Sequence, residues 1–430
     1  MIQIQQIDGG HGRSPIRWPI VCARGGFPIA SLDVLKAWAP AERKVVVASF
    51  LGWTLDAFDF FLLVFVLKDV AAEFGVGKEA VAAAITLTLA LRPVGALLFG
   101  RLADRFGRRP VLMLDVALYS LFGLCTAFAP NLTVFIIIRA LFGVAMGGEW
   151  GIGASLTMES VKPEARGLVS GLLQSGYPTG YLLASVVYAT LFNTIGWRGM
   201  FMIGALPALL VLYIRRHVPE SPGWDAQRAR GSNIFSVLRG HWRVAAYGIV
   251  LMTAFNFFSH GTQDIYPTFL LVQHRFDAHT TGSIAIIYNF GAILGGWLFG
   301  TSSQSWGRRR TIMIGCILSL PVIYLWAYST TLIGLAAGAF LMQVCVQGAW
   351  GVIPAHLNEL SPPGARATFP GTIYQLGNLI ASSNALLQTS IAAQNGDNYA
   401  FALASVAAAA AVAITVLTAV GPEARDIKLS

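Results

Sequence analysis

From about residue 45 onward the chain alternates apolar runs of some twenty residues with short polar stretches. A run of that length crosses a bilayer as a helix, the open-ended element that satisfies its own backbone groups in lipid. The pattern predicts twelve such segments, six near 45–68, 79–100, 111–129, 132–158, 167–192 and 199–214. Six more fall near 244–272, 279–300, 311–328, 331–357, 367–393 and 399–420. A polar, Arg-rich stretch with Pro219 and Pro222 separates the two sets. The expected organisation is a tail (1–42), a six-helix bundle (43–216), a linker (217–242), a second bundle (243–420) and a short tail (421–430).

The two sets repeat one another at an offset of 200. Gly100, Gly107, Arg108 and Arg109 recur as Gly300, Gly307, Arg308 and Arg309. Gly148, Trp150 and Gly151 recur as Gly348, Trp350 and Gly351, and Glu159, Pro163, Arg166 and Gly171 as Glu359, Pro363, Arg366 and Gly371. Three groups in one register mark a duplication. Two parallel six-helix repeats with a site between them resemble the major facilitator architecture. The expected fold class is therefore all-α: a polytopic membrane protein with twelve transmembrane helices in two pseudo-symmetric bundles.

Composition agrees. Of 430 residues, 55% are hydrophobic and 12% charged, where a soluble domain carries about 25% charged residues. The net charge of +9 does not indicate nucleic acid. Arg101, Arg105, Lys162, Arg215, Arg216, Arg228, Arg230, Arg239 and Arg310, among others, fall in alternate loops, which is the positive-inside pattern. Both termini are expected in the cytoplasm, with the chain in the bacterial inner (plasma) membrane as a monomer. The basic start lacks the apolar core of a signal peptide. Cys22, Cys125, Cys316 and Cys345 have no metal-ligand spacing. No enzyme motif stands out, and neither a metal nor a cofactor is expected.

Chemistry concentrates in the seventh segment, Asn-Phe-Phe-Ser-His-Gly-Thr-Gln-Asp-Ile-Tyr-Pro-Thr from Asn256 to Thr268. On one continuous helix Asn256, His260 and Asp264 stand at i, i+4 and i+8, with Ser259 and Gln263 on the same face. Ionisable groups at bilayer depth cost roughly 2.5–3.5 kcal/mol each, and they mark pathways or proton relays more often than structural glue. The motif resembles the seventh-helix signature of lactate/pyruvate–proton permeases, in the sialate–proton symporter branch of the major facilitator superfamily. All six specified positions match: Asn256, Ser259, His260, Gln263, Asp264 and Thr268.

Other ionisable residues also lie within apolar segments: Asp56 and Asp59 in the first, Arg92 in the second, Arg139 and Glu149 in the fourth. A guanidinium keeps its charge when buried and grips a carboxylate through two parallel bonds. Arg92, followed by Pro93, is accordingly the expected anion site, and the resemblance associates an arginine in this context with carboxylate recognition. Neutralisation of Asp56 or Asp59 by Arg92 is the competing structural role. Asn256, His260, Gln263 and Gln375 complete the expected substrate site. His260 and Asp264 are the proton-coupling candidates, with Asp56, Asp59, Arg139 and Glu149 as a second set; the resemblance implies a relay role for Arg139. Gln375, Asn378 and Asn384 form a softer polar strip on the eleventh segment.

The loop 100–110, Gly-Arg-Leu-Ala-Asp-Arg-Phe-Gly-Arg-Arg-Pro, resembles the superfamily's signature loop, which implies a latch on the outward-open state. Gly100, Asp104, Gly107, Arg108 and Arg109 form it, with Glu159, Arg166, Glu359 and Arg366 as inter-helix latches. Asp104 is expected to pair with an arginine or cap the third helix. Gln304 replaces it in the second copy, where a weaker latch is expected. The expected function is proton-coupled symport of a short monocarboxylate, the partners being an organic acid, a proton and the lipid bilayer, with no nucleic acid. Alternatives are symport of a larger sugar acid such as sialic acid, antiport of drugs or aromatic acids, and metabolite sensing without transport.

Overall fold

A computed structural model describes residues 38–224, 239–423, 425 and 429. Cys22, Arg228, Arg230 and most of the expected N-terminal tail lie outside the described residues. The first bundle contains α1 (Pro40–Glu73), α2 (Lys78–Phe106), α3 (Arg108–Ala127), α4 (Leu132–Ser160), α5 (Arg166–Gln174), α6 (Gly176–Ile203) and α7 (Ala208–His217). The second contains α8 (Trp242–Gln263), α9 (Tyr266–Val272), α10 (Ala278–Trp306), α11 (Arg308–Tyr328) and α12 (Leu332–Trp350), then α13 (Ile353–Leu360), α14 (Thr368–Ala381), α15 (Asn384–Gln394) and α16 (Tyr399–Val420).

Helix starts follow local chemistry. Asn131, Asp277, Thr331 and Asn398 each accept a backbone N–H of the first turn with their side chains, which satisfies donors that have no intrahelical partner. Among the described residues ten stretches are long and apolar enough to cross a membrane. Residues 163–217 count as one of these but turn at Gly196, whose φ of 62° is outside the helical region. The eleventh segment, split into α14 and α15, has neither part long enough to count. Twelve crossings are thereby accounted for.

The seventh segment corrects one expectation, since it is not a single helix. α8 ends at Gln263 and α9 starts at Tyr266 with Pro267 in its first turn. Proline has no N–H to donate and its ring crowds the carbonyl four residues back, here that of Gln263. Asp264 keeps helical dihedrals (φ −62°, ψ −49°), so its i,i+4 relation to His260 survives. Thr268 belongs to the separate short helix.

The duplication is visible at the end of the molecule that carries loop 100–110. Gly107 and Gly307 adopt φ of 112° and 93°, conformations that exclude most other residues. Buried Arg108 pairs with Glu159 at 3.1 Å, and buried Arg308 with Glu359 at 2.9 Å. Arg109 donates to the carbonyl of Arg215 at the end of α7, and Arg309 to those of Thr418 and Ala419 at the end of α16. In return, Glu220 accepts the backbone N–H groups of Arg108 and Arg109 at 3.0 and 3.2 Å, and Glu423 that of Arg309 at 3.1 Å. Burial outweighs these donors and leaves the Glu220 carboxyl above its ordinary pKa. Each half is thus tied end to end, the start of its third crossing to the end of its sixth.

Candidate functional site

At this loop end the two halves meet directly. Asp104 on α2 accepts the backbone N–H groups of Ala367 and Thr368 at 3.1 and 3.0 Å and the Thr368 hydroxyl at 2.6 Å. It also pairs with Arg108 at 3.2 Å. Its cap therefore falls on α14 in the opposite half, not on α3 as expected. Gln304, its counterpart, accepts one cross-half bond, from Gly167 N–H at 3.2 Å. Arg166 reaches Glu359 across the seam at 3.9 Å. The Ser155 hydroxyl donates to the Arg366 carbonyl at 2.6 Å, and Ala355 N–H to the Ser170 hydroxyl at 3.0 Å. Glycines allow this approach: a Cβ on Gly100 would lie 2.6 Å from Thr368 Cα, and one on Gly151 2.7 Å from Gly371 Cα.

Above the closed seam lies a cavity of about 380 Å³ between the halves. Trp53, Trp350 and Tyr374 line it on the seam side, with Trp150 packed under Tyr374 at 4.7 Å between ring centres. One wall is aromatic: Phe61 stands edge-on to Tyr177 and Tyr181 at 5.3 and 4.8 Å, and Phe65 continues the series at 5.7 Å from Tyr181. The opposite wall is polar and comes mainly from α8. Asn256, Ser259, His260, Gln263 and Asp264 line it, joined by Asn378 of α14 and Gln347 of α12.

Arg92 lines the cavity from the aromatic side. Its guanidinium lies 5.2 Å from the Phe60 ring centre and one terminal nitrogen sits 2.7 Å from the Met146 sulfur. No carboxylate lies within 4.0 Å of it among the described residues. The internal neutralisation of Asp56 or Asp59 by a close ion pair is therefore not what Arg92 does in this conformer. A thioether is a weak acceptor, so the contact with Met146 leaves the guanidinium's hydrogen-bonding capacity largely unused.

His260 is held on both sides. Its Nδ1 lies 3.1 Å from Asp264 Oδ1 and also 3.1 Å from Oδ2, and its Nε2 lies 2.9 Å from Asn378 Oδ1. A neutral imidazole carries one N–H. Serving both acceptors takes either the imidazolium or an Asn378 amide turned by 180°. The pair thus places an imidazole and a carboxyl in hydrogen-bond contact beside the cavity. Gln263 and Gln347 both donate to the Ser259 hydroxyl, at 3.0 and 3.2 Å.

The remaining expected residues sit behind the walls. Gln375 is buried with both amide atoms unpartnered, and it does not line the cavity. Asp56, Asp59 and Glu149 are fully buried with no hydrogen-bond partner on any carboxyl oxygen. Arg139 is buried as well, its guanidinium 3.8 Å from the Phe142 ring centre and 5.7 Å from that of Phe201. Asp59 faces α3 instead, where a Cβ on Gly123 would lie 2.8 Å from its Oδ2. Pairing of Asp56 or Asp59 with Arg92 or Arg139 is expected as well, but among the described residues none lies at ion-pair distance; aromatic rings lie over both guanidinium groups, and Asp59 fills a gap left by Gly123 and Gly204. The structure adds one more buried acid, Asp115 on α3. Its signal was there to find: a carboxylate within Leu-Met-Leu-Asp-Val-Ala-Leu.

A family model described as Major Facilitator Superfamily matches residues 49–276 and again 249–429. The chain is 32% identical over 362 residues to a probable 4-methylmuconolactone transporter of Cupriavidus pinatubonensis, covering 81% of this chain and 83% of that protein. It is 27% identical over 370 residues to a carboxylic acid transporter protein homolog of Saccharomyces cerevisiae, covering 80% of this chain; it spans 60% of the yeast protein's length. Among solved structures, the proton:xylose symporter XylE bound to 6-bromo-6-deoxy-D-glucose superimposes with a TM-score of 0.73 at 18% identity, covering 89% of this chain and 96% of XylE.

Proposed function

The chain belongs to the Major Facilitator Superfamily, and on that premise we propose that it is a secondary transporter that carries a monocarboxylate together with a proton. The observation that carries the reading is one cavity lined on one side by a guanidinium without a carboxylate partner, Arg92, and on the other by the His260–Asp264 pair. Arg92 binds the anion. His260 with Asp264 takes the proton, and Gln263, Ser259, Asn256 and Asn378 orient the acid without adding charge. Entry of a lone anion is opposed by about 2.3 kcal/mol per 100 mV of membrane potential; one accompanying proton removes that cost. The Arg-rich loop end is taken as cytoplasmic, so the conformer opens outward, with Asp104 and its cross-half bonds as the latch.

Lactate and pyruvate lead the substrate panel through the α8 motif. The aromatic wall and the cavity volume favour a second reading, a larger and flatter monocarboxylate, and the similarity to a lactone transporter points the same way. Proteoliposomes loaded at neutral pH and diluted into acid separate these readings. Labelled pyruvate, lactate, benzoate and sialic acid are offered with and without the gradient. At least one monocarboxylate accumulates only with the gradient, and His260→Ala lowers that accumulation by about tenfold, a loss of ~1.4 kcal/mol of coupling. Accumulation indifferent to the gradient, or intact in His260→Ala, overturns the coupling assignment.

A further inference from the structure

Asp115 lies on α3, away from the cavity, and is fully buried with neither carboxyl oxygen hydrogen-bonded. No Lys, Arg or His nitrogen comes within 4.0 Å of it among the described residues. Its space exists because residue 148 is glycine: a Cβ there would lie 2.6 Å from Asp115 Oδ1. The groups that face it are acids. Asp56 comes from α1 and Glu149 from α4, next to that glycine, and Phe99 of α2 closes on the same glycine. Tyr119, one turn along α3, is also buried with its hydroxyl unpartnered. Tyr119 belongs to one buried apolar cluster with Val45, Ala48, Leu112, Val116 and Phe142.

A structural role for a buried acid requires a hydrogen bond or a cation, because an unsatisfied carboxyl destabilises its surroundings and an unpaired carboxylate does so far more. Asp115 has neither. Nor does the fold demand an acid there, since the repeat places Gly315 and Ala349 at the positions of Asp115 and Glu149 in the second half. Three carboxyls with no donors, gathered between three helices of one half only, are arranged to keep protons rather than to hold helices together.

We propose that Asp115 is a proton-carrying residue of the transport cycle, forming with Asp56 and Glu149 a second protonatable centre inside the first half, separate from His260–Asp264. The proposal rests on the proton-coupled reading above. Asp115 takes a proton from a hydronium ion in one conformer and returns it to water in the next, the O–H bond formed in the first step being the one broken in the second.

Two measurements on the full chain in liposomes test it. Infrared difference spectra between acid and alkaline medium report the protonated-carboxyl stretch, and Asp115→Asn should remove one component of it. Pyruvate exchange at equal pH should persist in Asp115→Asn while gradient-driven accumulation falls about tenfold, a ratio that a packing defect would not produce; Asp115→Glu should restore it. Asp115→Ala carries both measurements should the amide fail to assemble. An unchanged carboxyl band, or exchange lost as fully as accumulation, overturns the proposal. If the unaltered protein fails to accumulate any acid, the transport reading falls instead, and the infrared band still decides Asp115.

Discussion

Set side by side at an offset of 200, the two halves agree at the loop end and diverge in the middle of the membrane. Gly107 and Gly307 turn alike, Arg108 and Arg308 find Glu159 and Glu359, and an acid after the sixth crossing caps the third in both. Midway along the helices the first half carries Asp56, Asp59, Arg92, Asp115, Arg139 and Glu149; the second has Asn256, Ser259, Ala292, Gly315, Ala339 and Ala349. His260 and Asp264 stand where the first half has Phe60 and Val64. The difference teaches that two constraints act on the duplicated fold. The moving parts need matched ends, so that either half can close against the other. The cavity has unlike walls, one bearing Arg92 and aromatic rings, the other His260, Asp264 and neutral polar groups.

Removing the guanidinium is the hardest blow to this asymmetry. Arg92→Ala should cut uptake of the transported acid by about 100-fold, the worth of two charge-assisted bonds at ~1.5 kcal/mol each, while the protein still assembles. Arg92→Lys should recover only part, since an ammonium lacks the two-pronged geometry. Wild-type uptake kinetics in Arg92→Ala would take that residue out of the site.

The matched ends are not equal in strength, and this can be sharpened. Asp104 accepts three cross-half bonds and Gln304 one. Asp104→Ala should therefore shift the balance toward the loop-open conformer by about 1–2 kcal/mol, the cost of losing a helix cap, and Gln304→Ala by about 1 kcal/mol or less. Spin-label distances across the loop end and across the cavity mouth report both. Equal shifts would show that the two copies latch alike.

The smallest contrast concerns the starts of α2 and α10. Gly77 begins α2 with no side-chain cap, whereas Asp277 at the same repeat position caps α10 on Thr280 N–H at 3.3 Å. The Thr280 hydroxyl and nearby backbone donors hold the exposed Asp277 carboxyl below the usual range. An acid whose folded pKa is lowered stabilises the fold above its unfolded value, and the benefit is lost as pH falls through the lowered one. Thermal unfolding of Asp277→Asn should differ slightly from the unaltered chain near neutrality and converge with it in strong acid. A difference that widened in acid would reverse the assignment.

Crossings, duplication and the His260–Asp264 step were legible in the sequence because each is local or periodic: run length, a fixed offset, one helical turn. The break at Pro267 was legible in principle, but the apolar run continues through it to Val272 and masks it. Which helix Asp104 caps was not legible, since its partners lie 263 and 264 positions away in the other half. Nor was the sorting of buried acids behind the cavity wall. Composition says that Asp56 and Asp59 are in the membrane, but only packing against Gly123 of α3 says which way Asp59 turns.

End-to-end ties fasten each half, and beside the polar bonds that cross the seam there are points where the halves meet as bare backbone. Gly151 lies on Gly371, and Gly300 on Gly171, with backbone against backbone. A join of bare backbone has no side chain to unlock, so in the proposed transport cycle the readiness of the halves to part is set by the few polar bonds that bridge the seam.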